Sequence, residues 1–167
     1  IERGEQTNQR LGSLLWSRAE LCLEAGQVER SQRFVDQALD LPVVPSESLS
    51  IRLRMTQGAI HAAKDELELA LTELEAAVHG AVDREDREAV WQARSRLALV
   101  HWQNENPKAS EKALGRSLEV IERVAAELPP SLRKLYRQSP QRRGVRDALR
   151  RLRTGLKPQS DAHQKTL

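Results

Sequence analysis

Cys22, His61 and His101 have the most chemistry to offer, and they recur at offsets of 39 and 40 positions. A thiolate and two imidazoles are zinc ligands, but ligands must all lie about 2.0 to 2.3 Å from the ion. Equivalent positions on successive packed helices stand about 10 Å apart, so these three cannot share a metal and are expected to pack between helices. His79 and His163 have no partner in the sequence pattern. Glu66, Glu68, Glu73 and Glu75 spread around a helix, the pattern of a solvated surface. None of G-x-S-x-G, G-x4-G-K-[ST], H-E-x-x-H or C-x-x-C occurs. The expectation is a chain with no catalytic residue, no metal and no cofactor. Two sets of recognition groups remain. Trp16 and Trp102 are large rigid aromatics of the kind that dominate interfaces, unless they pack against neighbouring helices. Arg142, Arg143, Arg146, Arg150, Arg151 and Arg153 could neutralise phosphates, though no set for reading base edges accompanies them.

The elements that position these groups are helices. With 39% hydrophobic, 31% charged and only 3% aromatic residues, the composition suits packed helices better than sheets. A length of 167 residues suffices for one domain with a sizeable core. No stretch approaches the roughly 18 apolar residues of a membrane span, and nothing resembles a signal peptide. The single cysteine excludes a disulfide within the chain and favours a reducing, cytoplasmic setting. A chain that starts at Ile1 reads as a piece of a longer protein.

Apolar periodicity predicts helices over 8–25, 27–41, 46–64, 66–78, 84–104 and from Pro107 to about Leu128. Gly26 ends the first, Pro42 and Pro45 break the chain after the second, Ser46 caps the third and Asp83 the fifth. Gly58 inside a helix costs about 1 kcal/mol relative to Ala, which implies close approach of a neighbouring helix. Beyond Pro129-Pro130, a short helix over 131–138 is expected to turn Leu132, Leu135 and Tyr136 inward. A last helix over 141–156 carries Val145, Leu149, Leu152 and Leu156 as a stripe, its arginines mostly outside it. Residues 158–167 are polar and expected to be disordered.

Aligning the second helices superposes Ser31/Val35/Ala38, Ala70/Leu74/Ala77 and Ser110/Leu114/Ser117, with Ala19, Gly58 and Ala98 in matching places on the first helices. This small-x3-large-x2-small pattern resembles the tetratricopeptide repeat, most clearly over Ala98 to Val120. The resemblance covers about residues 8 to 120 and departs from the family in three ways. The period exceeds the usual 34 or so. The expected early aromatic is Leu15, Arg54 or Arg94, and the turn glycine survives only as Gly26. Hairpins of the HEAT type have overlapping periods of roughly 40 to 47 and stay open. The fold implied is all-α: a right-handed α-solenoid of three antiparallel helical hairpins over 1–128, capping helices over 129–157, and a tail. The family receives a peptide or helix in the groove lined by its first helices. Carried over by position, that groove would present Trp16, Glu20, Arg52, Met55, Gln92, Ser95, Leu99 and Trp102. The Lys and Asn with which chaperone-binding members clamp a carboxylate have no counterpart.

Charge divides unevenly: 16 Lys and Arg against 22 Asp and Glu over 1–129, a net −6, then 11 against 2 over 130–167, a net +9. The basic segment admits three readings: a cap over the last hairpin, a coiled-coil connector, or a nucleic-acid contact. Its Leu128-Pro129, Leu132-Arg133, Tyr136 and Pro140 resemble the stretch following such repeats in bacterial serine/threonine kinases and enhancer-dependent transcription activators. That resemblance implies the sensory or scaffolding part of a signal-transduction or transcription regulator, with a protein or peptide partner. Nucleic-acid binding is one alternative. Self-association is another, through Leu14, Leu15 and Trp16, which would face a preceding hairpin.

Overall fold

A computed structural model describes residues 2–156 and Pro158. The described residues are all-helical, with eight helices and no strand: α1 (Glu2–Glu24), α2 (Val28–Leu39), α3 (Glu47–Ala63), α4 (Leu67–Asp83), α5 (Arg87–Gln103), α6 (Pro107–Glu127), α7 (Pro130–Arg137) and α8 (Pro140–Arg153). The chain divides into two compact units, 1–80 and 81–167.

In the first unit α1 and α2 pack antiparallel. Val35, Ala38, Leu15 and Ala19 form a core with Leu49, Leu53 and Ile60 of α3. The closest approach is made by small residues: the buried Ser31 hydroxyl donates to the Ala19 carbonyl, 12 residues earlier, at 2.8 Å. The contact between α3 and α4 repeats at the same separation. There Gly58 lies against Ala70 and Leu74, and a Cβ added at Gly58 would stand 2.6 Å from Leu74 Cγ and 3.2 Å from the Ala70 carbonyl oxygen. Gln9 fastens the linker between α2 and α3 to α1. Its amide donates to the Val44 carbonyl at 2.7 Å and accepts from the Ser46 N–H at 3.1 Å.

In the second unit α5 and α6 repeat the arrangement. The Ser110 hydroxyl donates to the Ala98 carbonyl at 2.7 Å, again 12 residues back, and Ser117 reaches the Trp91 carbonyl at 3.1 Å. As the position on α6 rises the position on α5 falls by the same amount, which makes the pair antiparallel. All nine residues of the aligned triplets are buried, as are Ala19, Gly58 and Ala98. Ser110→Ala removes a buried hydroxyl but leaves the Ala98 carbonyl its helical partner, so it is expected to cost about 1 kcal/mol in urea unfolding, while exposed Ser131→Ala costs nothing measurable.

Four of the turns between helices share one design, and the stop after α8 at Gly155 repeats it. At Gly26, Asp65, Glu85 and Glu105 the backbone is left-handed, with φ between 53° and 72°. Each of these N–H groups reaches back three residues, and the next N–H reaches back five, to the carbonyls of Cys22, His61, Ala81 and His101. This double bond satisfies the helix's last carbonyls. Cys22, His61 and His101 therefore share a register because each sits one turn before a helix stop. Only the first of the four turns uses glycine, although left-handed backbone costs other residues about 1 kcal/mol or more. Glu105→Gly should raise the stability of the second unit by about 1 kcal/mol, and Gly26→Ala should lower that of the first by a similar amount. Thermal unfolding of each variant checks both.

Several elements differ from expectation. α4 runs on through Gly80 to Asp83, so Asp83 closes that helix. Asp86 caps α5 instead, accepting from the Ala89 N–H at 3.0 Å. The residues that lengthen the repeat lie in the linker between α2 and α3 and in this extension of α4. Helix α1 begins at Glu2, before residue 8. Leu15 is buried, whereas Leu14 beside it is 64% exposed. On α7, Leu132 and Leu135 point outward and only Tyr136 packs inward; Leu156 lies beyond α8 and is exposed. Ser46 and Asn106 cap α3 and α6, with Pro107 in the first turn of α6. Of the segment 158–167, Pro158 is buried and the remainder, with His163, lies outside the described residues.

Candidate functional site

Each unit gathers aromatic and charged side chains on its first helices. In the first unit, Trp16 and Glu20 stand one turn apart on α1, and Arg52 and Thr56 one turn apart on α3. The Trp16 indole N–H donates to Thr56 Oγ1 at 3.2 Å, and that hydroxyl donates to Glu20 Oε1 at 2.6 Å. The Arg52 guanidinium lies over the Trp16 ring, 4.8 Å from its centre. Thr56 is fully buried, while Trp16, Glu20 and Arg52 are half-buried. A buried hydroxyl thus orients an aromatic plane, a cation and an anion. A planar cation on an indole is well suited to aromatic, carboxylate or amide groups of a peptide. Met55, the fourth residue expected here, is buried.

In the second unit, Gln92, Ser95, Leu99 and Trp102 are half-buried along α5. Trp102 packs against the core, and the Ser95 hydroxyl donates to the Trp91 carbonyl at 2.8 Å. The stronger constellation lies one turn earlier: Arg142, expected on a basic surface, and Tyr136, expected to face inward, meet Glu88 and Trp91, which no motif singled out. Glu88 accepts hydrogen bonds from three helices: Trp91 Nε1 of α5 at 2.8 Å, the Tyr136 hydroxyl of α7 at 2.6 Å, and Arg142 of α8 at 2.9 Å. The Arg142 guanidinium lies between two rings, 3.8 Å from the centre of Tyr136 and 5.5 Å from that of Trp91. Its Nη1 donates to both the Tyr136 carbonyl and Ser139 Oγ, and Nε is buried without a hydrogen-bond partner.

The electrostatics follow from this packing. Burial pushes the Glu88 carboxyl up, but the hydrogen bonds from Tyr136, Trp91 and Arg142, with the Arg142 charge, outweigh it and hold Glu88 below the ordinary carboxylate value. Burial and the hydrogen bond to Glu88 push the Tyr136 phenol up to about 12. A carboxyl held low gives stability that is complete above its unfolded value and lost as pH falls through its folded one. A phenol held high gives stability that is complete below about 10 and lost as pH rises toward 12. Tyr136 is the only tyrosine of the chain, so absorbance titration reads it directly. Its midpoint is expected near 12 in the wild type and closer to 10 in Glu88→Gln.

The arginines of α8 divide into two groups. Arg142 pairs with Glu88, Arg146 with Glu122 at 2.8 Å, and Arg153 with Glu111 at 2.9 Å; Arg137 of α7 joins Glu122 at 2.7 Å. Arg143 and Arg150 are exposed and Arg151 is half-buried. Beneath them Val145, Ala148, Leu149 and Leu152 are buried with Leu114 and Ile121 of α6. The basic helix is thus seated on α6 by an apolar seam with ion pairs to Glu111 and Glu122 along its sides. Among the described residues, no group of three His, Cys, Asp or Glu side chains could hold a metal ion; His61 Nδ1 instead meets Glu66 at 2.5 Å. No helix of the described residues is long and apolar enough to cross a membrane.

No known protein family, curated protein or solved structure matches the chain.

Proposed function

We propose that this chain is a protein–protein interaction module of tetratricopeptide-like hairpins, acting as a scaffold or sensory part of a bacterial regulator and contributing no catalysis of its own. The observation that carries the proposal is the Trp16–Arg52 stack, positioned by Thr56 and bordered by Glu20. An indole and a guanidinium, both of types enriched where proteins meet, share one half-buried face with a carboxylate beside them. The repeated burial of small-large-small triplets supports the repeat assignment, since it describes a packing unit made to be copied. The pairing of Arg142, Arg146 and Arg153 with carboxylates weighs against nucleic-acid binding, because an engaged guanidinium has less charge to offer a phosphate. Self-association is a second reading, favoured by Leu11, Leu14 and Leu21, which stand exposed along α1. A molar mass independent of concentration would remove it.

The test is site-specific photocrosslinking. A photoreactive phenylalanine analogue at Trp16, expressed in bacterial cells, should give one dominant crosslinked protein, and the same group at Arg143 should not. A product pattern common to both positions would show that the Trp16 face has no special role.

A further inference from the structure

We infer that α7 is a strap that leaves the second unit while α8 stays docked, and that the Glu88–Tyr136–Arg142 cluster is the latch holding it shut. The two elements of the cap are fastened by different means. Helix α8 contributes four buried side chains, Val145, Ala148, Leu149 and Leu152, to the core. Helix α7 buries none; Leu132 and Leu135 face outward at 47% and 68% exposure. Apart from the Tyr136 ring, which packs on the core, its ties are polar and only partly buried: Arg133 to the Leu128 carbonyl, Arg137 to Glu122, and Tyr136 to Glu88 and Arg142. An eight-residue helix is not stable alone, so these ties decide whether it forms. Prolines separate it from its neighbours at both ends, Pro129-Pro130 before it and Ser139-Pro140 after it, so no continuous helix ties α7 to α6 or α8.

The latch is the strongest tie because one carboxylate joins three elements. When α7 leaves, Tyr136 lifts from the guanidinium of Arg142, and a cation resting on Trp91 faces solvent. The inner residues of the strap thus cover an aromatic and cationic pair of the same type as Trp16 and Arg52. Segments whose backbone bonds are near the surface and whose apolar burial is small open first and independently.

Amide hydrogen exchange on the full chain tests this. Amides of Arg133 to Arg137 should exchange about a hundredfold faster than those of Leu149 to Arg153, and Glu88→Gln should speed the α7 amides about tenfold more while leaving α5, α6 and α8 unchanged. Tyr136→Phe, which removes a single hydroxyl, should act in the same direction and serves if Glu88→Gln does not fold. Equal rates for α7 and α8 would overturn the proposal. So would a variant that speeds the whole unit together, or one that leaves α7 unaffected.

Discussion

Replacing Gly58 with valine is expected to destabilise the first unit by about 3 kcal/mol, lowering its thermal midpoint by more than 10 °C. Two effects oppose each other here. Any residue with a Cβ improves helix propensity over glycine by up to about 1 kcal/mol, which favours the substitution. Against it, the first added carbon would stand 2.6 Å from Leu74 Cγ, a branch point of a wholly buried side chain and not its flexible end. The Ala70 carbonyl behind it is helix backbone and yields less still. Overpacking of this kind costs about 1 to 3 kcal/mol per site, more for a β-branched side chain, so the clash wins. Gly115 is the control: it also lies inside a helix, but a Cβ there meets nothing within 4 Å, and Gly115→Ala is expected to stabilise by about 0.5 to 1 kcal/mol. Circular dichroism melting of the two variants gives opposite signs if helix spacing governs, and the same sign if propensity does.

Leu149→Asp is expected to be the most damaging single change in the second unit, at about 4 kcal/mol or more. It places a carboxylate among Trp91, Leu114 and Ile121, where burial strips its hydration and the apolar contacts of Leu149 are lost. The comparison is with the ion pairs around the seam. Glu122 meets both Arg137 and Arg146, yet all three side chains are more than a third exposed, and exposed pairs contribute about 0 to 1 kcal/mol each. Glu122→Gln should therefore cost less than about 1 kcal/mol and lose even that in high salt, where the Debye length falls to about 3 Å at 1 M. Urea unfolding of the two variants separates the contributions. A large loss for Glu122→Gln with a small one for Leu149→Asp would mean that charge, not burial, seats α8.

Sequence pattern alone located the helices and the buried triplets, because small and large residues at fixed spacing carry packing information directly. Ser31, Ala70 and Ser110 can be read as contact points before any fold is known, and so can Gly58. The turn residues were harder. Asp65, Glu85 and Glu105 adopt backbone that sequence reasoning assigns to glycine, and only the tertiary requirement for a tight stop puts them there. That is why Asp83 looked like a cap when Asp86 fills that place. The Glu88 cluster was invisible for a different reason. Its members come from α5, α7 and α8, separated by up to 54 positions, and each alone is an ordinary helix residue. The pair Glu88 and Trp91, three apart on one helix, was a signal, but nothing in it indicates that Tyr136 and Arg142 arrive from elsewhere. The direction of Leu132 and Leu135 failed likewise, since a helix of eight residues has too few positions for its apolar face to be read from periodicity.

Under the proposed function, the Trp16–Arg52 face binds a partner protein. The most direct measurement of this is the affinity of the crosslinked partner, once purified, for three forms of the chain by calorimetry. Trp16→Ala should weaken binding by tenfold or more, as expected when an anchoring aromatic is removed, while Arg143→Ala leaves it within about twofold. Unchanged affinity in folded Trp16→Ala would contradict binding at this face, and a loss confined to Arg143→Ala would transfer the binding surface to α8.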